Sequence, residues 1–305
     1  MRLFVQETSM KEIRNALGAL QAPQLERPPF PADMLKGKVA FVTGGGSGMG
    51  FGMARAFAQA GADVAIVGRS IDRLEKALGQ LQGFGIRAHG VACDVRKPDA
   101  VQSAFDQVEE RLGPVGILAN NAGGNFPALA EQISANAWRA ITQIAVDGTF
   151  LCSTEFARRR KSLGQPGAIV NNSAQYIWSG FPGDAHSATA KAAIVHMTKA
   201  MANDWKGNGI RVNCVAAGFF PHPDAVVETL DKQAMERMSS MFPIGRTGEL
   251  HEWGWLATFL VSPLAAGITG QTALIDGGDR LRRALMHPAF VTPRDRINPW
   301  GELPQ

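Results

Sequence analysis

Residues 39–50 read VAFVTGGGSGMG, a short apolar run that leads into a glycine-rich turn. A helical pattern follows over residues 51–59, and a second apolar run, DVAIV, covers residues 63–67. Glycine lets the backbone approach a pyrophosphate closely in such a turn, and the following helix points its free N–H groups at the phosphates. In this context the pattern predicts a dinucleotide-binding turn. The candidate contacts are Thr43, Gly44, Gly46, Ser47, Gly48, Met49 and Gly50.

Short apolar runs and helical patterns alternate along the rest of the chain. The further apolar runs and helical patterns cover residues 88–93, 100–112, 116–119, 135–157, 168–172, 188–205, 210–215, 249–260 and 272–275. Such alternation is typical of βαβ units, whose parallel strands are buried under helices on both faces. It predicts a doubly wound, Rossmann-type α/β fold with one parallel sheet in a single domain.

The two ends of the chain lie outside this pattern. The predicted domain spans residues 36–279, with an N-terminal extension over residues 1–35 and a C-terminal tail over residues 280–305. Residues 11–20 can form a short helix, and a proline-broken linker follows it. The tail is rich in arginine and proline, and we expect it to pack on the surface or on a neighbouring subunit.

Composition and charge exclude several classes of protein. The 305 residues are 45% hydrophobic and 19% charged, which is typical of a globular protein. No segment approaches the ~20 apolar residues of a membrane-spanning helix, and the start does not read as a secretory signal. The net charge of +4 is spread thinly, so no basic stripe indicates a nucleic-acid partner. Cys93, Cys152 and Cys214 lack the spacing of a metal site, and we expect a cytoplasmic protein without metal or membrane insertion.

The end of the second apolar run indicates which dinucleotide binds. An acidic side chain there would accept a hydrogen bond from a ribose 2′-OH and repel a 2′-phosphate. The sequence instead reads Gly68-Arg69-Ser70, which offers a guanidinium and a hydroxyl. These groups suit a 2′-phosphate and predict NADP(H), with Arg69 and Ser70 as contacts. The alternative is that Arg69 simply faces solvent.

Four motifs in this order resemble the short-chain dehydrogenase/reductase family. They are the glycine turn, Asp94-Val95, Asn120-Asn121-Ala122-Gly123 and Ile275-Asp276-Gly277-Gly278. The resemblance covers about residues 36–279 and implies that family's seven-stranded sheet and its usual tetramer. It also implies that Asp94 and Val95 contact the adenine and that Asn121, Ala122 and Gly123 line the cofactor. The family usually reads Pro-Gly where this chain has Ala217, Gly218 and Phe219, which would lie against the nicotinamide.

The catalytic pattern departs from that of most family members, which carry Tyr-x-x-x-Lys on the helix after the fifth strand. Lys191 matches the lysine, but Ser187 stands four residues before it, and the usual serine position falls on Ala174. Tyr176 is the one tyrosine of the chain, 15 residues before Lys191 and at the end of the predicted fifth strand. A tyrosine at this offset, with serine in the usual tyrosine position, resembles the 2,4-dienoyl-CoA reductase subgroup and its bacterial members in particular.

Reduction of a conjugated dienoyl thioester gives the displaced tyrosine a chemical reason. Hydride goes to the distal end of the conjugated system, negative charge builds on the thioester oxygen, and a proton must reach the α-carbon. The acid therefore belongs farther from the nicotinamide than in a carbonyl reductase. We expect Tyr176 to be the acid or the donor to the enolate oxygen, and Lys191 to hold the nicotinamide ribose. Ser187 would orient the acyl chain or the thioester.

The sequence leaves the roles of two more residues open. Asp147 aligns with an asparagine of the subgroup, but a carboxylate donates no hydrogen bond unless it is protonated. Aligned on the broader family, the catalytic asparagine position falls on Ala145. Asp147 is kept as a catalytic candidate. His186 is either a second acid or an ordinary structural histidine.

Residues 219–243 are expected to form a mobile substrate lid. Three methionines at helical spacing and nearby phenylalanines can line an adaptable wall for an acyl chain, or can pack at a subunit contact. The methionines are Met235, Met238 and Met241. Arg237 and Arg246 are candidates for contact with CoA phosphates.

Together these features predict an NADPH-dependent reductase of conjugated enoyl- or dienoyl-CoA thioesters, acting on an acyl-CoA in fatty acid metabolism. Two alternatives stay open at this point. One is a carbonyl or alcohol oxidoreductase of the same family with a rearranged acid. The other is a catalytically silent NADP-binding protein.

Overall fold

The computed structural model describes residues 22–222, residue 239 and residues 242–281, and in these residues strands and helices alternate. The strands are β1 (Val39–Thr43), β2 (Asp63–Gly68), β3 (Ala88–Ala92), β4 (Val115–Asn120), β5 (Gly167–Ala174), β6 (Ile210–Ala217) and β7 (Thr272–Ile275). The helices are α1 (Gly48–Gln59), α2 (Ile71–Leu81), α3 (Pro98–Leu112), α4 (Ala135–Thr142), α5 (Gly148–Ser162), α6 (Ala185–Trp205) and α7 (Leu250–Val261).

The strands of the described residues form one seven-stranded sheet in the order β3-β2-β1-β4-β5-β6-β7, and every neighbouring pair is parallel. The order reverses at β1 and β4, so the carboxyl ends of these two strands open a crevice at the switch point. The predicted doubly wound Rossmann-type fold is confirmed. All the candidate cofactor residues before Lys191 lie on or just after the carboxyl ends of β1 to β4.

Two apolar cores cover the two faces of the sheet. Helices α1, α2 and α7 pack on one face, where Trp253 is fully buried. Helices α3, α5 and α6 pack on the other, where the ring of Phe41 stacks on that of Phe105 with centroids 4.2 Å apart. Because helices shield both faces, the strands read as continuous apolar runs rather than alternating ones.

The helical pattern over residues 135–157 does not form the single helix that the sequence predicts. Helix α4 ends at Thr142, residues Gln143–Asp147 form a π-helical turn, and α5 then begins. The π turn buries Ala145 against α6 and brings Gly148 so close to Val95 that an added Cβ would lie 2.7 Å from its side chain. A π turn adds one residue to the helical repeat, so tertiary packing here overrides the sequence pattern.

The described part of the N-terminal extension packs along α1 and α7. Nε2 of His251 donates a hydrogen bond to the Pro23 carbonyl at 2.7 Å, and the rings of Phe30 and Trp255 meet edge to face. The predicted helix over residues 11–20 and the tail beyond residue 281 lie outside the described residues. The domain boundaries stay a prediction. No helix within the described ranges has the length and apolarity needed to cross a bilayer.

Candidate active site

The glycine turn is closely packed between β1 and α1. Gly44 and Gly48 have φ angles of 64° and 50°, in the left-handed region that favours glycine. A Cβ on Gly50 would overlap the carbonyl oxygen of Gly44. Ser47 begins α1 without a side-chain cap bond, and the first turn of α1 carries no acidic residue. The turn therefore fits a pyrophosphate, because its glycines let the backbone come close and the first turn of α1 carries no carboxylate.

The side chain of Thr43 joins this turn to the loop after β4. Its hydroxyl accepts hydrogen bonds from the backbone N–H groups of Asn121 and Ala122 at 2.9 and 3.0 Å. The amide nitrogen of Asn172 donates to Asn121 Oδ1 at 2.8 Å, which brings in the end of β5. A Cβ on Gly123 would lie 3.8 Å from Lys191 Nζ. The structure thus brings the glycine turn, the loop after β4 and Lys191 into one cleft.

The tyrosine and the serine meet by a direct hydrogen bond. Tyr176 lies in a single 3-10 turn, Gln175–Trp178, directly after β5, and Ser187 lies in the first turn of α6. The atoms Tyr176 Oη and Ser187 Oγ are 2.8 Å apart, and either hydroxyl can donate. Ser187 is buried, whereas Tyr176 is partly buried. The phenol therefore has one face toward the cleft and a fixed partner behind it.

Lys191 is held by the backbone of β5. Its Nζ donates to the Asn172 carbonyl at 3.0 Å, and the hydroxyl of Ser173 donates to the Lys191 carbonyl at 2.9 Å. Removal from water lowers the pKa of Lys191 to about 8, an effect that the buried thiol of Cys214 partly opposes. Asn172 and Ser173 were not predicted as site residues. The signal for them was a polar pair at the end of an otherwise apolar strand.

The groups predicted to contact the adenosine end lie near the carboxyl ends of β2 and β3. Arg69 is exposed, and Ser70 caps α2 by accepting a hydrogen bond from the Arg73 N–H at 3.4 Å. Asp94 forms an ion pair with Arg96, whose hydrogen bonds lower the pKa of that carboxyl to about 2. The charge of the exposed Arg69 also lowers the pKa of the Asp94 carboxyl, so Arg69 lies near the Asp94–Arg96 pair.

Asp147 lies apart from the tyrosine and the lysine. It is exposed at the end of the π-helical turn. None of the described hydrogen bonds that hold Tyr176, Ser187 and Lys191 includes its carboxylate. The geometry of the described residues gives it no contact with the other three catalytic candidates, so its role in the chemistry stays a prediction.

The turn after β6 is tightly packed against the end of β7, although it reads Ala-Gly where the family usually has Pro-Gly. The Gly218 N–H donates to the Ile275 carbonyl at 2.8 Å, and a Cβ on Gly218 would lie 2.6 Å from the Asp276 Cα. Ala217 is buried, and the rings of Phe219 and Phe242 stack 6.4 Å apart. The methionines of the predicted lid and Arg237 lie outside the described residues.

His186 is a residue whose environment the sequence left open. Its side chain is fully buried, and its ring lies against that of Phe126 with centroids 4.3 Å apart. Burial lowers its pKa, while the charge of Asp184 opposes that shift. Arg246, the other arginine predicted to meet CoA phosphates, pairs with Glu252 through two contacts of 2.7 Å.

Comparison with known proteins identifies the class. A family profile described as "Enoyl-(Acyl carrier protein) reductase" matches residues 44–279. A protein of Bacillus subtilis named probable 2,4-dienoyl-CoA reductase [(2E)-enoyl-CoA-producing] is 35% identical over 80% of this chain and 97% of its own length. The mouse peroxisomal 2,4-dienoyl-CoA reductase [(3E)-enoyl-CoA-producing] is 35% identical over 82% of this chain and 86% of its own. A crystal structure of a short chain dehydrogenase from Bacillus anthracis is 39% identical, with a TM-score of 0.74 over 81% of this chain and 98% of that one.

The chain therefore belongs to the short-chain dehydrogenase/reductase family. It is an oxidoreductase of a family that uses nicotinamide cofactors, and the glycine turn fits the pyrophosphate of such a cofactor.

Proposed function

We propose that this protein reduces conjugated 2,4-dienoyl-CoA thioesters with NADPH. The observation that carries the proposal is the 2.8 Å contact between Tyr176 Oη and Ser187 Oγ in the cleft that holds Lys191. Tyr176 comes from the turn after β5, whereas most family members carry the tyrosine on the following helix, where Ser187 stands in this chain. The names of relatives at 35% identity support the same substrate class.

The chain's own residues offer a binding site for NADPH. The glycine turn and the amino end of α1 would hold the pyrophosphate, and Arg69 would pair with the 2′-phosphate. Lys191 would hold the nicotinamide ribose, and Ala217 to Phe219 would lie beside the nicotinamide. When bound, NADPH supplies the hydride that reduces the distal carbon of the diene.

Tyr176 would donate the proton to the substrate, and Ser187 would stabilise the phenolate that remains. As the diene accepts the hydride, its electrons shift toward the thioester oxygen, and a hydroxyl that donates to this oxygen lowers the barrier. Tyr176 then gives its proton to the α-carbon, which leaves a carbon–carbon double bond between C3 and C4. The hydroxyl of Ser187 donates to the phenolate that results, and the positive charge of Lys191 stabilises it.

The assay compares substrates that separate the candidate functions. NADPH oxidation is followed by absorbance with 2,4-hexadienoyl-CoA and, in parallel, with acetoacetyl-CoA. We expect turnover of the dienoyl thioester and a 3-enoyl product by mass spectrometry and NMR. Turnover of the ketoacyl thioester alone would refute the proposal in favour of a carbonyl reductase. Turnover of neither, with tight NADPH binding, would favour a catalytically silent protein.

We also propose that the protein works as a homotetramer in the cytoplasm, with residues 219–243 as its lid. Phe150 on α5 is half exposed, which supports burial of this face in an assembly. Light scattering after size-exclusion chromatography measures the mass, and a monomer at working concentration would contradict the assembly.

A further inference from the structure

His186 is buried in an unusual way for a histidine. It is the second residue of α6, and its side chain is fully buried. Within the described ranges neither ring nitrogen has a partner at full hydrogen-bonding geometry, although a backbone group of Phe126 acts on the ring and opposes the lowering of its pKa by burial. Leaving two polar atoms of a ring without partners costs folding free energy. A residue that only filled space here would be better replaced by an apolar ring, so the imidazole calls for an explanation.

Contacts of His186 and of the two residues 183 and 184 join one loop to the start of α6. The loop over residues 124–128 follows Gly123, which borders Lys191 Nζ. The amide of Asn125 donates to Asp184 Oδ1 at 3.2 Å, and the Ala128 N–H donates to the Gly183 carbonyl at 3.0 Å. On the loop, Phe126, whose ring meets that of His186, lies between the residues that make these two hydrogen bonds.

On the face of α6 that carries His186, the residues that follow it in the helix have apolar neighbours. Ala190 and Ile194, one and two turns after His186, pack with Ile141 and Ala145 of α4 and the π-helical turn. The exposed Asp147 is the charged residue of that turn. Among the described residues, Asp184 is the titratable group that acts on the imidazole, and the loop contributes Asn125 and Phe126, which do not titrate.

We propose that His186 is a positioning residue whose uncharged ring holds the 124–128 loop against the first turn of α6. The same turn carries Ser187, the partner of Tyr176, and the loop directly follows Gly123, which borders Lys191, so the ring would set the width of the substrate cleft. This inference rests on the proposed function for its kinetic readout only.

The imidazole, unlike a phenyl ring, makes this contact sensitive to acid. A protonated His186 has Asp184 as its counter-charge, and Asp184 already accepts the hydrogen bond from Asn125. Protonation would therefore compete for Asp184, release Asn125 and loosen the loop. Because burial opposes protonation, the release is expected only below the usual titration range of histidine.

The experiment compares His186→Ala and His186→Phe with the wild type. His196→Ala is the matched control, because His196 lies on the same helix and is exposed. Amide exchange of residues 124–128 is measured by mass spectrometry without substrate, at about pH 7.5 and about pH 5, above and well below the ordinary histidine pKa, and each rate is expressed relative to the intrinsic exchange rate at that pH. KM for 2,4-hexadienoyl-CoA and Kd for NADPH are measured at both values.

For His186→Ala at the higher pH we expect exchange of the loop to rise about tenfold and KM to rise about tenfold, with Kd for NADPH changed by less than about twofold. His186→Phe should match the wild type at that pH and stay unchanged at the lower one, where the wild type shows faster exchange and a higher KM. The control should follow the wild type throughout.

Two results would overturn the inference. One is a loop in His186→Ala that exchanges as slowly as in the wild type. The other is an acid response in His186→Phe as large as in the wild type, since that response would then come from another group. If the wild type turns over no dienoyl-CoA, the proposed function fails, and the exchange measurements still decide the role of His186.

Discussion

Replacing Tyr176 with phenylalanine removes one oxygen and keeps the ring, which lies 6.2 Å from that of Phe181. The oxygen removed is the one that lies 2.8 Å from Ser187 Oγ and that we propose as the proton source. The chain contains a single tyrosine, so no second phenol can replace it.

The size of the effect follows from this geometry. A positioned general acid contributes roughly 10²–10⁴-fold to a rate, so we expect kcat with 2,4-hexadienoyl-CoA to fall by about 100-fold or more. The hydroxyl of Ser187, which is 1% exposed, loses its partner. An unsatisfied buried hydroxyl costs about 1–3 kcal/mol, which corresponds to a fall in Tm of roughly 2–10 °C and leaves the enzyme folded at room temperature.

The measurement is a single-turnover NADPH oxidation, combined with a titration of NADPH binding and a thermal melt. Ser187→Ala is the matched control because it breaks the same hydrogen bond and keeps the phenol, and its kcat should fall by only about tenfold. Activity of Tyr176→Phe within about threefold of the wild type would refute the reasoning. Parallel loss of NADPH binding would also refute it, since the phenol would then serve the cofactor site.

Three further predictions concern the cofactor cleft. Arg69→Ala should raise Kd for NADPH by about tenfold or more and change Kd for NADH by less than about twofold, because the guanidinium would pair only with a 2′-phosphate. An equal loss of affinity for the two cofactors would contradict this assignment. The pKa of Lys191 is lowered to about 8, so its charge is present below that pH and lost above it. We therefore expect kcat/KM to decline as pH rises through about 8. A profile that stays flat to pH ~10 would contradict the role of the charge. Gly50→Ala should abolish NADPH binding and lower Tm, because the added Cβ overlaps the Gly44 carbonyl. Gly79→Ala is the control, because Gly79 has open space around it, and it should change neither NADPH binding nor Tm. Calorimetry measures NADPH binding of both variants, and melting curves measure their Tm.

The sequence predicted the fold well because each strand lies in a mainly apolar stretch and helical patterns separate most of these stretches. Its one failure in the described helices lies between Thr142 and Gly148, where it predicted a single helix. The apolar spacing there suits an α-helix, and nothing local signals an extra residue. The π turn depends on how Ala145 meets α6 and how Gly148 meets Val95, and both contacts join segments that are distant in sequence.

The site was predictable to a different degree for each residue. The resemblance to the 2,4-dienoyl-CoA reductase subgroup named Tyr176 and Ser187 as site residues, but it did not predict that their two hydroxyls are in contact. The link from Asn172 to Asn121 could not be predicted, because it requires that β4 and β5 be neighbours with Asn120 opposite Asn171. The pairing of Asp94 with Arg96 depends on side-chain rotamers, which a sequence pattern does not specify.

The main-chain anchor of Lys191 has a consequence for how this site can change. A backbone carbonyl is present whatever residue occupies position 172, so the hydrogen bond that holds the Lys191 ammonium does not depend on the nearby side chains. The same strand end can then accept an alanine at position 174 and a tyrosine at position 176 without disturbing the lysine. If Tyr176 is the proton donor as proposed, placing that donor after the strand instead of on the helix requires little further change, because the anchor of Lys191 does not depend on either side chain.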